Sequence, residues 1–232
     1  MVSSSSRVIV ALDFANQADV FKLVDQLDPI QCKLKVGKEL FAIAGPGLVE
    51  QLIKRGFDVF LDLKYHDIPN TVAMACKAAA NMGVWMVNVH ALGGPNMISA
   101  AKEAILTAEH QPILTAVTIL TSFDQAQLSA IGLPGSIQDN VLRLAKLAQN
   151  SGADGVVCSA QEAFELRKHV SKDFCLVTPG IRPVGSKSDD QKRIMTPAEA
   201  IQAGSDYLVI GRPITQSADP LASLLAINQS LS

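Results

Sequence analysis

The chain has little with which to bind a soft metal or cross-link itself. Its four cysteines, Cys32, Cys76, Cys158 and Cys175, are widely spaced and form no CxxC pair. They read as small buried hydrophobes in a reducing compartment rather than as a disulfide frame. The four histidines, His66, His90, His110 and His169, fall in no HxH or HExxH pattern, which argues against a zinc site. An excess of one charge is also lacking: 20 Lys and Arg are mixed with 22 Asp and Glu, with no basic tract and no acidic tail. Nothing therefore points to a nucleic acid or an anionic membrane as partner. No apolar run is long enough to span a bilayer. The opening "MVSSSSRVIVALD" has neither the basic start nor the cleavage site of a secretory signal. The expectation is a soluble, cytoplasmic protein.

What the chain does have is an alternation of strand-like and helical stretches. The pattern predicts strands over 7–13, 32–37, 57–64, 84–91, 112–120, 153–159, 174–180 and 205–211. Helices are predicted over 18–27, 46–56, 70–83, 95–108, 136–152, 160–170, 196–204 and 219–231. Most of the strands are apolar on both faces, as parallel strands covered on both sides should be. Eight strand–helix units in 232 residues suggest a single (β/α)8 TIM barrel domain over residues 1–232, its active site at the C-terminal ends of the strands. An eight-stranded doubly wound sheet is the structural alternative. The one long polar stretch, "RPVGSKSDDQKR" after strand seven, is expected to be a lid, because barrel sites open on that face.

The chemistry-bearing residues fall where predicted strands end. Asp13 ends strand one, Lys35 lies late in strand two, and Asp62 and Lys64 end strand three, with Asp67 just beyond. One such charge is an ordinary solvated rim residue; five on three consecutive strands suggest a site. Asp62 and Lys64 are two apart, so both point to one face of their strand. Asp67, after a turn, either points back or reaches a neighbouring subunit. Carboxylates suit Mg²⁺, but a lysine between them already supplies positive charge and disfavours a cation. A Schiff-base role would need a neutral amine, whereas flanking carboxylates favour the ammonium. Lys64 is therefore expected to be charged and to act as a general acid that also stabilises a developing carbanion. "TPGIRP" (178–183) and "IGRPI" (210–214) offer Gly180 with Arg182 and Gly211 with Arg212 as a phosphate anchor. His90, at the end of strand four, either orients the lysine or simply packs, packing being the preferred reading.

Taken in order, "ALD", "KVGKELF", "FLDLKYHDIPNTV", "NVHALGG", "TILTS", "TPGIRP", "DDQKR" and "IGRPI" make the chain resemble the orotidine 5′-monophosphate decarboxylase family over essentially its whole length. The resemblance implies a cofactor-free, metal-free carboxy-lyase of pyrimidine biosynthesis that converts orotidine 5′-monophosphate to uridine 5′-monophosphate and CO2. It implies a homodimer in which Asp67 and Thr71 serve the partner's site. Lys64 would protonate C6 of the pyrimidine, Asp62 would lie against the substrate carboxylate, and Lys35 would order the array and touch the ribose. Asp13 would bind ribose hydroxyls, and Ser122, beside Thr121, would read the pyrimidine edge. Arg212, Gly211 and Gln191 would hold the phosphate, with Arg182 binding substrate near the start of the closing loop. Two rivals stand beside this reading: a Mg²⁺-dependent sugar-phosphate decarboxylase or aldolase of the same barrel superfamily, and a silent barrel that only binds a nucleotide.

Overall fold

The computed structural model describes residues 6–183 and 195–231. Eight parallel strands follow one another around a closed barrel: β1 (Val8–Ala11), β2 (Lys33–Gly37), β3 (Val59–Tyr65), β4 (Met86–His90), β5 (Ile113–Val117), β6 (Gly155–Val157), β7 (Cys175–Thr178) and β8 (Tyr207–Ile210). β1 pairs with both β2 and β8, so the sheet has no edge and the doubly wound alternative is excluded. The helices are α1 (Gln17–Val24), α2 (Lys38–Lys54), α3 (Pro69–Asn81), α4 (Gly94–Leu106), α5 (Gln125–Ala130), α6 (Ile137–Asn150), α7 (Ala160–Arg167), α8 (Pro197–Gln202), α9 (Arg212–Thr215) and α10 (Pro220–Gln229). No helix among the described residues is long and apolar enough to cross a membrane.

Strand alternation divides the core into two layers. Val8, Val10 and Leu12 join Leu34, Val36 and Leu61 in the larger cluster shared with the helices. Ile9 and Ala11 join Phe60, Met86, Val177 and Val209 in a smaller cluster that fills the barrel. The same period of two separates the lysines of "CKLKVG". Lys33, 1% exposed, pairs with Asp58 at 2.7 Å and lies over the Trp85 ring. Lys35 lies two residues further along and belongs to the mouth.

The helices return to the strands through similar turns. Gly152 and Gly204 adopt φ of 87° and 104° just after α6 and α8, a conformation that costs glycine little and ends a helix. Two residues later Asp154 and Asp206 accept hydrogen bonds from the Leu114 and Leu176 N–H groups at the start of the preceding strand, at 2.8 and 2.7 Å. Three elements differ from expectation. The helix expected over 46–56 is the second half of α2; Gly45, at φ 64° before Pro46, breaks the helix, so the local pattern covers only the part that starts at Pro46. The link after β5 contains α5, with a capping box between Asp124 and Gln127. "IGRPI" passes directly into the short α9.

Candidate active site

The site is built on Asp62. Its side chain is 12% exposed, and its two oxygens face two lysines. Lys64 Nζ donates to Oδ1 at 2.6 Å, and Lys35 Nζ stands 3.4 Å from Oδ2. Lys35 also donates to Asp13 Oδ1 at 3.3 Å, so the four groups form one chain of alternating charge across β1, β2 and β3. Burial by itself would raise the Asp62 pKa. The Lys35 and Lys64 ammoniums, with hydrogen bonds from Lys64 and Asn88, outweigh burial and hold it below the usual carboxylate value.

The backbone of β3 is unusual at this point. Its register with β4 shifts between Leu61 and Tyr65. Lys64 has φ 52°, the only positive φ at a non-glycine position among the described residues. That conformation costs about 1–2 kcal/mol. The Lys64 N–H donates to the side-chain oxygen of fully buried Asn88 at 2.7 Å, and Asn88 Nδ2 donates to Asp62 Oδ1 at 2.7 Å. Asn88 is absent from the sequence-predicted residues. Its signal was only its place two residues before His90 on a strand that alternates in and out.

Three adjoining cavities, of about 520, 190 and 170 Å³, are all bordered by Lys35. The largest is lined by Asp13, Gly180, Arg182, Gly211 and Arg212. The second is largely apolar, with Val117, Ile119, Val157 and Cys158 facing Asp62, Lys64 and Thr121. A polar chamber carrying two arginines, a charged centre and an apolar chamber thus adjoin one another, and the largest is within the size range of small-ligand sites.

The remaining predicted residues are placed less uniformly. Arg182 is buried, and its Nη1 donates to the Ile181 carbonyl at 2.9 Å. Thr121 is half-buried and Ser122 exposed. Asp67 is exposed and accepts from the Ile68 N–H at 2.6 Å, forming no ion pair with any described residue. Thr71 is exposed in the first turn of α3. Gln191 and most of the polar stretch expected as a lid lie outside the described residues. His90 stacks on His66 with ring centroids 5.5 Å apart, and its Nδ1 accepts from the Leu92 N–H at 3.3 Å. Among the described residues no group of three or more His, Cys, Asp or Glu is disposed to hold a metal.

Known proteins match this architecture and its sequence. A protein of Hydrogenovibrio crunogenus named orotidine 5′-phosphate decarboxylase is 64% identical over 230 residues, covering 99% of this chain and 98% of its own. One of the same name from Vibrio vulnificus is 61% identical over 226 residues, covering 97% of each. The crystal structure of orotidine 5′-phosphate decarboxylase from Lactobacillus acidophilus superimposes with a TM-score of 0.88 at 42% identity, covering 97% of this chain and 98% of that one. The model of the orotidine 5′-phosphate decarboxylase / HUMPS family matches residues 6–227, and with these relatives it establishes that the chain belongs to that family.

Proposed function

We propose that the protein is a cytoplasmic, cofactor-free orotidine 5′-phosphate decarboxylase that converts orotidine 5′-monophosphate to uridine 5′-monophosphate and CO2. The observation that carries the reading is the half-buried Asp62 carboxylate held between the Lys35 and Lys64 ammoniums at the mouth of the barrel. When the bond from C6 to the carboxyl carbon breaks, its electron pair stays on C6 in the ring plane, where delocalisation is poor. Lys64 Nζ delivers a proton to that carbon, CO2 departs, and solvent reprotonates the amine. An ammonium fixed beside the developing charge stabilises it without reorganisation. Two unit charges about 4 Å apart interact by about 1 kcal/mol in water and about 4 at an effective dielectric near 20. Excluding water from the mouth therefore raises the contribution of the array.

The cavities support a division of the substrate. Its phosphate would lie with Arg182, Gly211, Arg212 and Gln191, its ribose with Asp13 and Lys35, and its base beside Thr121 and Ser122. Phosphate binding then holds the reacting carbon against the array. Asp62 would face the substrate carboxylate and disfavour the ground state. The exposure of Asp67 and Thr71 is compatible with a homodimer in which each serves the partner's site. A Mg²⁺-dependent sugar-phosphate reaction is disfavoured because both Asp62 oxygens already face cations.

The test is the change in the ultraviolet absorbance spectrum, from that of the 6-carboxylated ring to that of uridine 5′-monophosphate, on mixing metal-free protein with orotidine 5′-monophosphate. Turnover should survive excess chelator, and Lys64→Ala should abolish it while nucleotide binding remains. Turnover that needs added Mg²⁺, or that is unchanged in Lys64→Ala, would sink the reading. For the shared site, an equal mixture of inactive Lys64→Ala and Asp67→Ala proteins should recover about a quarter of parental activity through hybrid dimers. No recovery would remove Asp67 from the partner's site.

A further inference from the structure

We infer that Asn88 is a positioning residue for decarboxylation: from β4 it clamps the irregular end of β3 and so fixes where the Lys64 ammonium and the Asp62 carboxylate stand. The inference rests on the reading of Lys64 as proton donor. The β3–β4 register shifts between Leu61 and Tyr65, and Lys64 has no partner on β4 in that ladder. The Asn88 side-chain oxygen accepts from the Lys64 N–H at 2.7 Å, holding Lys64 at φ 52°. Its nitrogen donates at 2.7 Å to Asp62 Oδ1, the same oxygen that accepts from Lys64 Nζ at 2.6 Å. Oδ2 is left facing Lys35 at 3.4 Å. Asn88 is 0% exposed, so solvent cannot substitute for either bond.

The chemistry selects an amide. One partner, a backbone N–H, only donates; the other, a carboxylate, only accepts. A side chain bridging them needs one acceptor and one donor a fixed distance apart, which also settles the amide orientation. A carboxylate at this position would face Asp62 with like charge, and an aliphatic residue would satisfy neither partner. Asn88 touches Asp62 and the Lys64 backbone, not the reacting carbon, so its effect passes through those two residues.

Asn88→Ala and Asn88→Asp separate this role from a purely structural one. In folded Asn88→Ala, kcat should fall about tenfold or more with KM within about threefold, because geometry rather than nucleotide affinity is lost. The acid limb of its pH profile should move up, since Asp62 loses a donor. Asn88→Asp keeps the acceptor for the Lys64 N–H but sets a second acid against Asp62. Its loss at neutral pH should be larger and partly reversed on acidification, as the introduced carboxyl gains a proton to donate. A folding role alone would lower yield or melting temperature while leaving kcat per folded site and its pH profile as in the parent; that result in either variant overturns the inference, as does failure of both to fold. The Lys64→Ala comparison keeps the two ideas distinct. Parental turnover there removes the proton-donor reading itself. An inactive Lys64→Ala beside parental Asn88 variants removes only the role of Asn88.

Discussion

Acidification should withdraw stability through His90. This residue ends β4, its ring stacked on His66. Burial, then the neighbouring His66, Lys38 and Lys64, push its pKa from 6.5 down to about 4. The unfolded chain takes up this proton near pH 6.5 and the folded chain only near pH 4. Between those values the unfolded state binds more protons, so stability rises with pH across the window and falls as the solution is made acid. The gap is worth about 3 kcal/mol if fully expressed, and about 2 kcal/mol after allowance for solvent screening of the partly exposed ring. Urea unfolding midpoints of the parent and of His90→Asn, from neutral pH to about pH 4, measure it. Asparagine keeps a side-chain acceptor for the Leu92 N–H and does not titrate. The variant should gain on the parent by about 2 kcal/mol as pH falls through the window, with little relative change above it. Parallel curves would refute the reasoning. The functional consequence is that a His90 held neutral by its surroundings adds no further positive charge to the Lys35 and Lys64 ammoniums.

Two packing predictions follow from the barrel. A Cβ at Gly155 would lie 2.3 Å from the Cys175 carbonyl oxygen and 2.7 Å from its Cβ, so Gly155→Ala must push two strands apart. It should cost about 3 kcal/mol or more, read from the denaturant midpoint. At Gly93 the closest atoms are the far end of the flexible but buried Met97 side chain, not backbone, so Gly93→Ala should cost less than Gly155→Ala, about 1–2 kcal/mol. At the floor, Asp58→Ala leaves the buried Lys33 ammonium without its carboxylate and should cost about 3 kcal/mol. Adding Lys33→Met should recover much of that loss; a double variant no more stable than Asp58→Ala would show that the ion pair is not the source.

The sequence by itself determined the alternation of eight strands and helices, because strand and helix periodicities are local and survive without knowledge of partners. It also placed the charges in one neighbourhood: Asp62 and Lys64 are two apart on one strand, and residues at the ends of parallel strands share a rim. Closure of the sheet was not local. It rests on β1 pairing with β8, some 200 residues apart in sequence, and only the three-dimensional arrangement separates a barrel from an open sheet. Lys33 and Lys35 show the same limit. Their pattern is identical, yet one meets Asp58 and Trp85 at the floor while the other joins Asp13 and Asp62 at the mouth. Asn88 was illegible for a related reason. An asparagine in an apolar strand carries no signal until the bulge of the adjacent strand presents it with an unpartnered N–H and a carboxylate. Spacing along the chain decides which side of a strand a residue occupies; what stands opposite is decided by strands distant in sequence, and the chemistry of this site lies in those pairings.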